Sequence, residues 1–217
     1  VWGPWQDYGG DYRHAATWER ECPCNWKIVL ENSLESYHIP EVHPTTFKEF
    51  STEENSWHEL TETFTSYRTV PPNDLPTRSA NWLVRRLGRP VENMYWHRVR
   101  HPHVTGASLD VMRIMQCVFP TGPTSCRYRS LLFTLRGARR GPLAWAIYRF
   151  LRPIAAAVAR QVFDEDGRIY GGVQRGMAAS PHRGVIGTRE ERIFHFQEYV
   201  IRGTRGPREL GVVADGA

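Results

Sequence analysis

The segment Glu31-Asn32-Ser33-Leu34-Glu35-Ser36-Tyr37-His38-Ile39-Pro40-Glu41-Val42-His43 gathers two imidazoles and several carboxylates in one short stretch. Residues three or four apart on a helix share a face, which predicts Glu31, Glu35 and His38 side by side, with Asn32 one step round. Pro40 is expected to stop that helix, because its ring removes a backbone donor and clashes with the preceding turn. His43 then lies on the bend beyond, free to turn back toward His38. Two imidazoles arranged in this way can converge on one cation.

A protease-type zinc site would carry H-E-x-x-H or H-x-x-E-H on one unbroken helix. Here Glu41 is in the wrong register and Pro40 interrupts the helix such a motif requires. The plain alternative is a pair of ordinary polar histidines at a helix end. The surroundings of the segment decide against it.

Three stretches carry a resemblance to a known family. The first is Asn25-Trp26-Lys27 followed by Glu31-Asn32, Glu35, Tyr37-His38 and His43-Pro44. The second is Phe163-Asp164-Glu165-Asp166 with Val173-Gln174-Arg175-Gly176. The third is Gly187-Thr188-Arg189-Glu190-Glu191-Arg192-Ile193 with Phe194-His195-Phe196. In order and spacing they resemble the catalytic domain of Rieske-type non-haem iron oxygenases, the ring-hydroxylating dioxygenase alpha-subunit family, over roughly residues 15 to 202.

That resemblance implies His38, His43 and Asp166 as ligands of a mononuclear Fe(II) and Asn32 as a residue beside the metal. It implies Glu35 as the carboxylate that bridges to a neighbouring subunit's Rieske centre. Many relatives have aspartate at that position, and glutamate occurs among those acting on amines. Ser36 stands where relatives often have cysteine. Further implications are a [2Fe-2S] Rieske cluster in another domain and NADH or NADPH oxidised through a reductase, with or without a ferredoxin. Dioxygen and a small organic substrate would meet at the iron, and the full-length protein would be a homotrimer.

The donor types suit that chemistry on their own terms. Two neutral imidazoles and one carboxylate occupy one face of Fe(II) and leave the opposite positions open. Each histidine needs an acceptor for its second ring nitrogen, and Glu35 is the natural one for His38. Asp166 stands at helical spacing from Tyr170, Val173 and Met177, a partly apolar face expected to look inward, and a buried carboxylate needs a cation or donors. Asp164 and Glu165 are the alternatives if the register is displaced.

Cys22, Cys24, Cys117 and Cys126 do not form the paired Cys/His motifs of a Rieske cluster. The opening Val1-Trp2-Gly3-Pro4-Trp5 reads as the exit from a preceding domain. Residues 1–14 are thus assigned to the end of a missing Rieske domain or linker, 15–202 to the iron domain and 203–217 to a mobile tail. With 217 residues, 41% hydrophobic, one core can be buried, and no apolar run approaches a membrane span. Net charge of +5 is spread rather than clustered, without a nucleic-acid-binding signature. Basic faces suit an acidic redox partner or a neighbouring subunit instead. Without a signal peptide, reduced thiols in the cytoplasm are expected.

The periodicities predict an α+β chain. Strands are expected at Thr17 to Cys24, Trp57 to Arg68, Ser108 to Phe119 and Cys126 to Leu135, and a short helix near Trp82 to Leu87 after a loop at residues 71–76. A long helix follows from Pro142 toward Met177, with a break or kink at Pro153 and a local distortion at Gly171-Gly172. Thr188 and Glu191 form a capping box for a last helix whose Ile193, Phe196 and Val200 share a face. An antiparallel sheet wrapped around long helices fits the helix-grip (START/Bet v 1-like) fold that the resemblance implies. His101-Pro102-His103 is expected as a polar loop, and Trp57, Trp82, Trp96 and Trp145 as core anchors. Two other functions stay open: a helix-grip ligand-binding module without redox activity, and a zinc hydrolase.

Overall fold

A computed structural model describes residues 10–47, 56–138, 141–182, 184–187 and 189–204. Its strands are β1 (Tyr12–Cys22), β2 (Ser56–Thr61), β3 (Phe64–Thr69), β4 (Tyr95–Arg100), β5 (Val104–Leu109), β6 (Met112–Gly122) and β7 (Ser125–Leu135). Its helices are α1 (Trp26–Leu34), α2 (Ile39–Val42), α3 (Leu75–Arg86), α4 (Pro142–Ala179) and α5 (Glu191–Thr204). The strands form one antiparallel sheet in the order β1-β7-β6-β5-β4-β3-β2. This is the expected α+β helix-grip arrangement.

Strand β7 shows why the sheet has one wet face and one dry face. Cys126, Tyr128, Ser130, Leu132 and Thr134 alternate inward, as a two-residue period requires. Arg127 and Arg129 point out and pair with Glu21 and Glu19 of β1, each at 2.7 Å. On the dry face Val29, Leu30, Phe163, Tyr170 and Phe196 bring α1, α4 and α5 into one core with Tyr128. A second cluster packs Val84 and Leu87 of the α3 region against Tyr12, Leu135 and Leu151.

Several expected elements are displaced, each for a local reason. Strand β1 starts at Tyr12, already paired with Leu135, and ends before Pro23, which cannot donate to a ladder. The stretch Trp57 to Arg68 is a β2–β3 hairpin in which Thr61 opposes Phe64. Likewise Ser108 to Phe119 crosses the turn between β5 and β6, where Leu109 opposes Met112. Helix α3 begins earlier than Trp82 because the Asp74 side chain accepts the Thr77 amide at 2.8 Å and Pro76 fits the first turn.

Helix α4 runs unbroken through Pro153, Gly171 and Gly172. Proline deletes one backbone bond, and the turns on either side hold the helix. Gly171 serves a close approach instead of a distortion: a Cβ there would sit 3.1 Å from the Pro23 ring. On its inward face Tyr170 is buried as expected, but Val173 and Met177 are exposed. Thr188 lies outside the described residues. The capping box expected of Thr188 and Glu191 therefore falls outside the described residues, and the Glu191 carboxylate binds His58. Ile193 and Phe196 are buried on the α5 face, with Val200 against them.

Trp57, Trp82 and Trp145 are exposed rather than core anchors. Trp96 lies under the guanidiniums of Arg68 and Arg98. All four cysteines are free thiols. No helix among the described residues is long and apolar enough to cross a membrane.

His101 is buried, contrary to the polar loop expected of it, with its ring 5.3 Å from Phe196 and 5.1 Å from Tyr199. Burial, and then the charges of His195 and Arg192, lower its pKa to about 4. The folded ring therefore stays neutral where the unfolded ring, at its ordinary 6.5, takes up a proton. Stability should fall as pH drops through 6.5 toward 4, by on the order of 2 kcal/mol. Thermal melts at pH 7 and pH 4.5 are expected to converge in His101→Phe. An unchanged gap would show that another group controls the acid limb.

Candidate metal centre

Helix α1 starts cleanly, with the Asn25 side chain accepting the Lys27 amide. It stops at Leu34, because Glu35 is extended at φ −111° and ψ 170°. The expected single helix reaching Pro40 is therefore replaced by a break at Glu35 and a second short helix. Pro40 lies in the first turn of α2, where a missing N–H costs nothing. His38 caps α2 at its start and His43 at its end. The two imidazoles are thus fixed by opposite ends of one turn, with ring centroids 5.5 Å apart.

This geometry redistributes the carboxylates. Glu31 does not join His38: its carboxylate accepts Gln197 of α5 at 2.9 Å, and burial raises its pKa against that hydrogen bond. Glu35 turns back from the break and accepts both the His38 amide, at 3.0 Å, and its Nδ1.

The third donor arrives on α4, which lies antiparallel to α1. Gln174 accepts the Asn25 amide at 2.7 Å, and Asn32 donates to Asp166 Oδ1 at 3.0 Å. Seven residues on α1 and eight on α4 separate these anchors, about 10 and 12 Å of helix, so both bonds form together. Asp166 Oδ1 then lies 3.2 Å from His43 Nε2 and 3.9 Å from His38 Nε2. The donor atoms of His38, His43 and Asp166 all fall within 4.8 Å of one another.

Asp164 and Glu165 take other partners. Asp164 pairs with Arg20 and Arg160. Arg20 passes over Gly167, where a Cβ would lie 1.6 Å from its guanidinium. Glu165 accepts His43 Nδ1 at 2.7 Å and is itself held by Gln161 at 2.8 Å. Sequence reasoning gave Glu165 no role beyond a substitute ligand. The only available signal was the Gln161–Glu165 spacing of four, which is common on helix surfaces.

Both histidines consequently present Nε2 inward while a carboxylate fixes Nδ1, the arrangement that sets tautomer and ring orientation in metal sites. For His43 burial opposes protonation, but Asp166 and Glu165 outweigh it and raise the pKa. Glu165 is pushed up by burial and, more strongly, down by His43 and Gln161. First-row metals bond nitrogen and oxygen at about 2.0–2.2 Å, so donors on one ion lie at most about 4.4 Å apart, and three donors within 4.8 Å of one another reach one such ion with shifts of a few tenths of an ångström. Neutral imidazoles and one carboxylate also match the soft-to-hard balance of Fe(II). Glu165→Gln is expected to weaken Fe(II) affinity about 10–100-fold without unfolding the protein. Competition against a chromophoric chelator measures this, and unaltered affinity would remove Glu165 from the site.

The three donors face a cavity of about 610 Å³, bounded by Asn32, Glu35, Tyr67, His97, Met112 and Arg192 among others. A seven-stranded antiparallel sheet wrapped on long helices, with two imidazoles and a carboxylate turned into its cavity, defines a helix-grip domain with a mononuclear metal-type donor set. The chain belongs to the ring hydroxylating alpha subunit (catalytic domain) family, whose model matches residues 10–205.

Solved structures share the fold. A quaternary ammonium Rieske monooxygenase, described for carnitine oxidation by gut microbiota, is 18% identical over 90% of this chain and 51% of its own, with TM-score 0.68. Dicamba monooxygenase with 3,6-dichlorosalicylic acid is 13% identical over 91% and 62%, with TM-score 0.64. NdmB of Pseudomonas putida CBB5 is 13% identical over 89% and 51%, with TM-score 0.59. The chain spans about half the length of the first of these. No curated protein sequence matches it.

Proposed function

We propose that this domain activates dioxygen at a mononuclear Fe(II) held by His38, His43 and Asp166, and so hydroxylates or oxidatively demethylates a small organic substrate. An aromatic compound or a quaternary amine is the substrate class. The observation that carries the reading is the convergence of two inward Nε2 atoms and one carboxylate oxygen on a cavity large enough for such a molecule. When bound, Fe(II) supplies the site at which dioxygen is reduced. Glu35 and Glu165 hold the imidazoles in register, each through an Nδ1 contact. Asn32 orients Asp166 by donating to Oδ1. The apolar wall from Leu109, Met112 and Ile114 limits water beside the reacting carbon.

In the full-length protein, electrons would pass from NADH or NADPH through a reductase, with or without a ferredoxin, to a [2Fe-2S] Rieske cluster in a preceding domain. Glu35 would then carry them across a subunit boundary in a homotrimer. Residues 1–14 would belong to the connection from that domain, although β1 already begins at Tyr12. The proposed location is the cytoplasm. Anaerobic Fe(II) titration tests the metal site, with one equivalent bound per chain expected. Absence of uptake would leave a ligand-binding module, and preferential zinc with dioxygen-independent hydrolysis would overturn the oxygenase reading.

A further inference from the structure

Arg192 stands in the first turn of α5 and is only 3% exposed. Arg192 lines the same cavity as His38, His43 and Asp166. Nη2 donates to His97 Nδ1 at 3.0 Å, Nη1 reaches the Leu34 carbonyl at 3.4 Å, and Nε has no hydrogen-bond partner. Among the described residues no carboxylate forms an ion pair with it. The acidic side chains that share the cavity are engaged by histidines: Glu35 by His38, Glu191 by His58 and Asp166 by His43.

His97 adds nothing to neutralise that charge. It accepts from Arg192 at Nδ1, so its proton sits on Nε2, which donates to Thr105 Oγ1 at 2.8 Å. Burial, then the charge of Arg192, holds its pKa well below the ordinary value, and the ring is neutral. Desolvation brings Arg192 down to about 10, which still leaves it charged at neutral pH. The Tyr67 ring, 5.8 Å from the guanidinium carbon, offers only a weak cation–π contact. A buried cation without an anion is costly, and an apolar side chain of similar volume would be more stable there.

From this we infer that Arg192 is the anion subsite of the cavity and that the substrate is an organic monocarboxylate. The guanidinium fork takes a carboxylate through two parallel N–H donors. The organic body then lies along Ala107, Leu109, Met112 and Ile114, and the carbon to be oxidised faces the His38, His43 and Asp166 end. This inference rests on the oxygenase reading and narrows its substrate.

Calorimetry on the Fe(II)-loaded protein, kept anaerobic, would compare 4-methoxybenzoate, 3-phenylpropanoate and cyclohexanecarboxylate each with its primary amide. At least one acid is expected to bind tenfold or more tightly than its amide. Arg192→Met should erase that preference while its Tm equals or exceeds that of the parent, whereas a purely structural role predicts a lower Tm. Arg192→Lys should retain the preference at reduced affinity. If Arg192→Met does not fold, the acid-to-amide ratio of the parent and of Arg192→Lys decides. Equal binding of acid and amide, a preference that survives in Arg192→Met, or no acid binding at all would overturn the subsite. Iron uptake measured on the same samples separates such a failure from failure of the oxygenase reading: normal Fe(II) loading without acid preference sinks only the subsite.

Discussion

Asp166→Ala is expected to abolish stoichiometric Fe(II) binding, with iron content falling to background by mass spectrometry of the anaerobically loaded, desalted protein. The imidazoles alone leave a neutral, two-coordinate site on a ferrous ion that favours an anionic third donor. The substitution also frees Asn32, whose side chain donates to Asp166 Oδ1, and leaves His43 Nε2 facing an apolar methyl. His38→Ala and His43→Ala should have the same effect on iron. The fold itself should persist, because the Asn25–Gln174 anchor and the Leu30, Phe163 and Tyr170 packing between α1 and α4 are untouched. Retention of one tightly bound iron in Asp166→Ala would exclude it as a ligand and return attention to Glu165.

Glu35→Gln is expected to separate iron binding from turnover. The amide has the same shape, but its single oxygen can accept only one of the two N–H groups that the carboxylate holds, so Fe(II) affinity should fall as in Glu165→Gln while saturating Fe(II) still fills the site. What disappears is the negative charge against Nδ1, which raises the basicity of the metal-binding nitrogen and would link the ring to a donor on a neighbouring subunit. At saturating Fe(II), iron content should remain within a factor of two of the parent. Substrate turnover in the full-length protein should fall by about 100-fold or more, with reduced cluster accumulating in rapid-mixing spectra. Loss of iron in this variant would place Glu35 among the ligands. Full turnover would remove it from the electron path.

The near-neighbour part of the centre was legible in the sequence. Glu35, His38 and His43 are close enough along the chain that almost any compact turn brings them together, and they do meet, although through a break at Glu35 and not along one helix. Alternating burial in β7 and the amphipathic face of α5 were equally local signals. Hairpin turns were not. At Glu62-Thr63 and Asp110-Val111 the strand-forming residues run close up to the turn, so two strands read as one. Tryptophans were misplaced because size alone does not say whether a ring is buried or, like Trp82, lies on the surface beneath an arginine.

The donor types, their order and the short-range partner of His38 were set by the amino-acid sequence before any folding. Which of Asp164, Glu165 and Asp166 would face the histidines was decided only in three dimensions. Successive residues on a helix point about 100° apart, so the choice depends on how α4 rolls against α1. That roll is fixed by contacts between Asn25 and Gln174 and between Asn32 and Asp166, residues more than a hundred positions apart. The same docking sends Glu165 behind His43, and Arg192 of α5 meets His97 of β4 so that both are buried beside the cavity. No local propensity encodes these outcomes, because each is the minimum of packing and hydrogen-bond energies summed over the whole domain.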